Sequence, residues 1–176
     1  MTTPSTAAQT ATNSILDYFN KQAYLGQEFS FPTSITLSTT AETPILLIQN
    51  PIVTTNTFPN QKALFYFDRK YASNNQEVLV KLYLNPTVTG VSTAQTAVCT
   101  RPAYGTTSIS KCYPNGQFTV SSNGTLASQL GVPSNFYVTV DSQICFILDP
   151  GQSILLTGTA QAANTTLSMG SFWYEL

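Results

Sequence analysis

The 176 residues contain no histidine. That absence removes Ser-His-Asp and Cys-His nucleophiles, imidazole acid–base catalysis and His-ligated metals together. A serine activated by lysine remains conceivable on residue types alone, but the GxSxG elbow of hydrolases does not occur. Eight carboxylates are present, and none belongs to a paired catalytic motif. Asp141 and Asp149 end or follow neighbouring predicted strands and could meet at one rim of a sheet, as a catalytic dyad or a calcium site. Ordinary strand-end residues are the simpler reading of both. With no glycine-rich phosphate loop either, the residues predict no enzyme and no cofactor.

Three cysteines remain. Cys99 and Cys112 bracket CTRPAYGTTSISKC and could face each other across a hairpin, while Cys145 lies in a strand. Three reduced thiols, or a Cys99–Cys112 bridge formed after release from a cell, both fit; a zinc site lacks the histidines and CxxC pairs it needs. Asn123-Gly124-Thr125 and Asn164-Thr165-Thr166 match the glycosylation sequon, a coincidence expected in an Asn/Thr-rich chain. Tyr66, Tyr83, Tyr104, Tyr137, Tyr174 and Trp173 are core or interface residues, or include a platform on which a sugar stacks. Tyr104, in a long Thr/Ser/Gly/Pro-rich excursion over 86–115, is the candidate ligand contact.

The elements that must position these groups are strands. Charged residues make up 9% of the chain, against a usual ~25%. Thr, Ser, Asn and Gln take their place, with one Trp, nine Tyr and ten Phe. That aromatic and β-branched content excludes disorder and favours sheets. EVLVKLYLNP alternates cleanly, with Val78, Val80, Leu82 and Leu84 on one face. EFSFPTSITLS alternates too, and Pro32 makes it an edge or broken strand. ALFYF and EVLVKLYL, joined by KYASNNQ, read as an antiparallel pair. ICFIL and SILLTGT flank Asp149-Pro150-Gly151 and read as the central hairpin. ALFYF and ICFIL are apolar on both faces, so each is either sandwiched within the chain or covered by another subunit. Phe65, Phe67 and Ile147 are therefore candidate interface residues.

Residues 1–26 read differently. The first thirteen are a low-complexity arm, and Ser14-Ile15-Leu16-Asp17 has capping-box spacing ahead of a short helix over about 14–24. Its stripe of Ile15, Phe19 and Ala23 must dock on something, which adds Ile15 and Phe19 to the candidate interface. The division expected is an arm and helix over 1–26 and a β-sandwich over 27–176. Eight to ten strands without βαβ alternation predict an all-β, antiparallel, two-sheet sandwich, jelly-roll-like rather than immunoglobulin-like.

A net charge of −1 with scattered basic residues leaves no track for nucleic acid. No apolar run approaches the ~20 residues of a membrane span. The N-terminus has neither the basic nor the apolar region of a signal peptide, so synthesis in a host cytoplasm is expected. A hydroxyl- and amide-rich exterior can pack against copies of itself without charge repulsion.

TPILLIQNP, LYLNPTVTG, VSSNGTLASQL, ILDPGQSILLTGTA and the closing WYE, in that order from Thr43 to Glu175, resemble a group of small β-sandwich structural proteins of tailed bacteriophages. The chain departs from that pattern in the excursion around Cys99 and Cys112 and in TNTFPNQ. The resemblance implies a virion component, a head-decoration, head-fibre or minor structural protein, assembled as an oligomer with major capsid or tail proteins. No catalytic residue is implied. The expected function is a non-enzymatic, self-associating virion protein, a homotrimer. The alternative is a receptor- or glycan-binding module that contacts a host surface.

Overall fold

The computed structural model describes residues 27–52, 62–101, 103 and 106–176, and gives the backbone path alone at 65, 67, 68 and 141–145. The expected helix over 14–24, with Ile15 and Phe19, and the TNTFPNQ stretch lie outside the described residues.

Twelve strands follow in order among the described residues: β1 Glu28–Leu37, β2 Thr43–Gln49, β3 Leu64–Ser73, β4 Val78–Leu84, β5 Thr87–Thr89, β6 Val98–Cys99, β7 Lys111–Pro114, β8 Thr119–Ser122, β9 Thr125–Val132, β10 Tyr137–Leu148, β11 Ser153–Ala160 and β12 Thr165–Glu175. They form a first sheet of order β10-β3-β12-β1-β6, a second of order β7-β2-β11-β4-β9, and a small β5-β8 pair. All strand pairs are antiparallel. With the short β6 and β7 set aside, each sheet keeps four long strands. Every link between consecutive long strands crosses from one sheet to the other, except β4 to β9, which are neighbours in the second sheet. Two interlocked four-stranded sheets joined this way are a jelly roll.

This crossing corrects two sequence readings. β3 and β4 are not a hairpin but belong to opposite sheets, and so do β10 and β11. The Asp149-Pro150-Gly151 turn is a corner between layers. Asn50, buried at the end of β2, supplies the partners that a hairpin would have found in itself. Its N–H donates to the Gln152 carbonyl at 2.9 Å, and its carbonyl accepts from Gly151 N–H at 2.7 Å. Its side-chain Nδ2 donates to the carbonyls of Leu148 and Lys62 at 2.8 and 2.9 Å. Gly151, at φ +90°, takes the left-handed turn this corner needs. The Asn123-Gly124 turn is likewise a step, from the β5-β8 pair to the second sheet. There Gly124 sits at φ +84°, with the Leu84 carbonyl oxygen 2.3 Å from where a Cβ would stand, so no side chain fits.

A third correction concerns β10. NFYVTVDS and ICFIL are one strand, broken by a bulge between Asp141 and Phe146. The alternation read along the other strands holds. Phe29, Phe31 and Leu37 of β1, Val78, Val80 and Leu82 of β4, and Leu167, Met169 and Trp173 of β12 all face the core between the sheets. Pro32 sits where the sequence placed it, because β6 pairs only with Phe29 and Ser30 and leaves the flank of β1 open from there on.

Candidate functional site

The sandwich has two outer faces, and the chain treats them differently. On the second sheet, register aligns Tyr113, Leu47, Leu155 and Tyr83 in one row across β7, β2, β11 and β4. All four are buried, packed with Phe118 and flanked by Val88, Ala94 and Val120. The covering residues come from the excursion between β4 and β9. For β11 this resolves why a strand should be apolar on both sides. Ile154 and Leu156 enter the main core, and Leu155 lies under the chain's own excursion.

Two carboxylates pin this cover. Glu175, fully buried, accepts from Ser108 Oγ, from the N–H groups of Ile109 at 2.8 Å and Ser110 at 3.3 Å, and from the Trp173 indole N–H at 3.2 Å. It ties the excursion to the end of β12. Beside it, burial pushes the Cys112 thiol up to about 12, with the Glu175 charge adding to the shift. The second carboxylate, Glu42, accepts from Lys81 Nζ at 2.7 Å, Thr157 Oγ1 at 2.7 Å, Tyr83 Oη at 2.9 Å and Asn123 Nδ2 at 3.4 Å. Burial pulls Glu42 upward, but these hydrogen bonds and the Lys81 charge outweigh it and hold the carboxyl below its ordinary range.

Among the described residues, none forms such a cover over much of the outer face of the first sheet. Register lays it out in rows: Glu28, Tyr174, position 65 and Ile147; then Ser30, Phe172 and positions 68 and 141; then Pro32, Gly170, Lys70 and Thr139; then Ser34, Ser168, Ala72 and Tyr137. Tyr174 is buried, with its hydroxyl pushed up to about 12 by burial and by the Glu28 charge. Farther out the face opens: Ile147 is 55% and Tyr137 60% exposed, with Phe136 beside it at 66%. A shallow, mainly apolar groove of about 550 Å³ runs between Pro32 and Tyr137 over Gly170 and Ala72. Lys70 holds its Nζ 5.1 Å above the Phe172 ring.

The structure places the sequence-predicted site residues unevenly. Ile147 is exposed on β10. Phe65 and Phe67 lie on β3, where only the backbone is described; Tyr104 lies outside the described residues. Cys99 and Cys112 do not share a hairpin: β6 joins the first sheet and β7 the second, and no disulfide joins them. Asp141 and Asp149 do not meet across neighbouring strands, since one lies in β10 and the other in the turn after it; the residue opposite Asp141 is Asp68. Ser108 and Lys111 have the spacing of a lysine-activated serine, yet Ser108 is buried against Glu175 while Lys111 is exposed on β7. Of the candidate sugar platform, Tyr66, Tyr83, Tyr174 and Trp173 are buried, and Tyr137 is open. Among the described residues no group of three or more His, Cys, Asp or Glu could hold a metal.

Sequence reasoning passed over Glu42, Glu175, Asn50 and the buried Arg69. Arg69 faces the core in the row of Ser171, with its guanidinium 5.9 Å from the Phe146 ring. For the three charged residues, low overall charge is the signal in the sequence that could have found them, because in such a chain each remaining charge has a reason to be there.

No family model and no curated protein matches the chain. Among solved structures, a chain of tomato aspermy virus is 13% identical with a TM-score of 0.26, over 84% of this chain and 78% of that one. A chain of desmodium yellow mottle tymovirus is 14% identical with a TM-score of 0.21, over 84% and 80%. A chain of the full Israeli acute paralysis virus particle heated to 63 degrees is 9% identical with a TM-score of 0.27, over 88% and 70%. Likenesses of this size add nothing to the strand order, which by itself makes the chain a jelly roll.

Proposed function

We propose that this chain is a non-enzymatic structural protein on the exterior of a virion, forming symmetric oligomers and contacting other virion proteins. The observation that carries the reading is a jelly roll whose described residues cover one outer face with an excursion and leave much of the other open, in a chain with 9% charged residues. A hydroxyl- and amide-rich exterior beside one open face that exposes Ile147 and Tyr137 suits packing among copies at high local density. The resemblance of the ordered NP, LYLNPT, SSNGT and LDPG segments narrows the proposal to a head-decoration, head-fibre or minor structural protein of a tailed bacteriophage, with a trimer as its unit. In this reading residues 1–26 engage a neighbouring subunit, with Ile15 and Phe19 as contacts, and nucleic acid and membrane are not partners.

A glycan-binding module is the lesser reading, because the excursion it would use is largely spent on covering Leu47 and Leu155. Quantitative mass spectrometry of density-purified particles tests the proposal. The chain is expected at a fixed copy number that matches a symmetry of the particle. Its absence from washed particles, or a glycan-array signal lost in Tyr104→Ala, would overturn the structural reading.

A further inference from the structure

We infer that the Asn115-Gly116 step is a site of spontaneous covalent modification, where the chain converts its own side-chain amide to aspartate and isoaspartate with water as the co-reactant. Such a site goes beyond the proposed function and does not depend on it. The chain has two Asn-Gly steps, at 115–116 and 123–124, and the fold treats them oppositely.

Asn115 and Gly116 form the tip of the turn from Pro114 to Gln117, which leads from β7 to β8 and is closed by Gln117 N–H donating to the Pro114 carbonyl at 3.2 Å. Both residues are exposed. Among the described residues no hydrogen bond holds the Asn115 side chain or the Gly116 N–H, and nothing lies within 4 Å of where a Gly116 Cβ would stand. The electrophile, Asn115 Cγ, and the nucleophile, Gly116 N, are therefore both free. Upstream, Asn115 N–H donates to the Ile45 carbonyl at 2.9 Å and fixes the turn to β2. Only the exposed tip has to open for the two atoms to meet.

Asn123 and Gly124 are held instead. Asn123 is half-buried, with Nδ2 donating to Glu42 Oε1 at 3.4 Å. The Leu84 and Asn85 carbonyl oxygens crowd Gly124 on the side where a Cβ would stand. The rotation that aims the asparagine Cγ at the following nitrogen is open at 115 and obstructed at 123.

The chemistry balances with water alone. The Gly116 nitrogen attacks Asn115 Cγ, the Cγ–Nδ2 bond breaks, and Nδ2 leaves as ammonia with the proton lost from Gly116 N–H. Water then opens the resulting cyclic imide at either carbonyl. Opening at the former side-chain carbonyl gives aspartate. Opening at the main-chain carbonyl gives isoaspartate, whose extra methylene lies in the backbone. Both products place a carboxylate beside a groove of about 450 Å³ between β1 and this turn, lined by Thr33, Thr36, Thr43 and other uncharged residues. Isoaspartate also lengthens the turn that joins Tyr113 to Phe118, two members of the buried cluster on the outer face of the second sheet. The modification thus loosens that cluster from its exposed turn.

The test is peptide mapping of the full chain aged in warm, mildly alkaline buffer. Chymotrypsin cuts after Phe118 and so separates Asn115 from Asn123; mass spectrometry counts the amides lost, and chromatography resolves aspartate from isoaspartate. Asn115 is expected to convert at least severalfold faster than Asn123 in the folded chain, with the two rates drawing together in concentrated urea. Equal rates in the folded chain, a gap that persists unchanged in urea, or an intact Asn115 would overturn the assignment. Asn115→Gln keeps an exposed amide but closes the ring far more slowly, and is expected to lose the conversion with unchanged circular dichroism. The aged parent is then expected to be cleaved faster in the excursion than Asn115→Gln aged beside it. Conversion at Asn115 that leaves cleavage unchanged would overturn the loosening.

Discussion

Across the second sheet, Tyr113, Leu47, Leu155 and Tyr83 stand in one row, buried under Phe118 and its neighbours; across the first, the row of Glu28, Tyr174 and position 65 ends in an Ile147 that is more than half exposed. β11 and the ICFIL end of β10 are each apolar on two sides in sequence, so strand composition alone does not decide which one is covered. The connections decide it. Seven links between the eight long strands are needed, and the one that stays within a sheet, β4 to β9, is also the one long enough to fold back over it. Among the described residues, the excursion thus covers the face of β11, and none covers Ile147 and Tyr137 of β10.

The sharpest way to break this comparison is to truncate the same kind of side chain on each face. Leu155→Ala removes a fully buried side chain between the second sheet and its cover, and a loss of about 2–5 kcal/mol is expected. Ile147→Ala, measured at a concentration where the chain is monomeric, is expected to change stability by no more than ~0.5 kcal/mol. Urea denaturation with a common m-value checks both. Equal losses would mean that the two faces are packed alike and that the contrast drawn above is mistaken.

Glu175→Gln sharpens the comparison from the other side, by loosening the cover without emptying it. All four groups that reach the Glu175 carboxylate are donors. A glutamine presents its own N–H₂ to some of them and leaves buried donors unmatched, at an expected cost of about 1.5–3 kcal/mol. Faster proteolytic cleavage near residues 100–110 should accompany the loss, with hydrogen exchange in the main core strands slowed or sped no more than global stability requires. A variant as stable and as protease-resistant as the parent would show that the excursion holds to the second sheet by its apolar contacts alone.

How far these features were legible in sequence differs by kind. The inward faces of β1, β4 and β12 could be read from alternation, because a strand with one buried face writes its period into the chain. The edge position of β1 beyond Ser30 could be read from Pro32. The partner of each strand could not. Asp149-Pro150-Gly151 specifies a tight turn, but whether the turn closes a hairpin or steps to the facing sheet depends on Asn50, nearly a hundred residues away. The same holds for the site. Ile147 stood out in sequence as an apolar residue lacking an obvious partner, and its interface role is a proposal, whereas Glu42 and Glu175 looked like scattered charges, since their donors come from β4, β11, β12 and the excursion. Cys99 and Cys112 misled for a related reason: thirteen positions of separation suit a hairpin, and only the sheet order shows that their strands part.

The smallest effect expected is at Glu42, and its pH dependence has a definite sign. The folded structure holds the Glu42 carboxyl below its ordinary value near 4.5, so its contribution is fully present above that pH and fades as the pH falls through the folded value. Lys81 is shifted the other way: the Glu42 hydrogen bond and charge raise it above 10.5, so its share is present at neutral pH and is lost only as the pH climbs through that raised value. Between these limits the pair is intact. Because both side chains are partly solvated, its worth is about 1 kcal/mol or less. Urea midpoints taken from pH 7 down to pH 3 should fall less steeply in Glu42→Gln than in the parent, and the two curves should converge at the acid end. If they run parallel throughout, Glu42 does not anchor the margin of the covered face electrostatically, and Thr157 and Tyr83 hold there by packing.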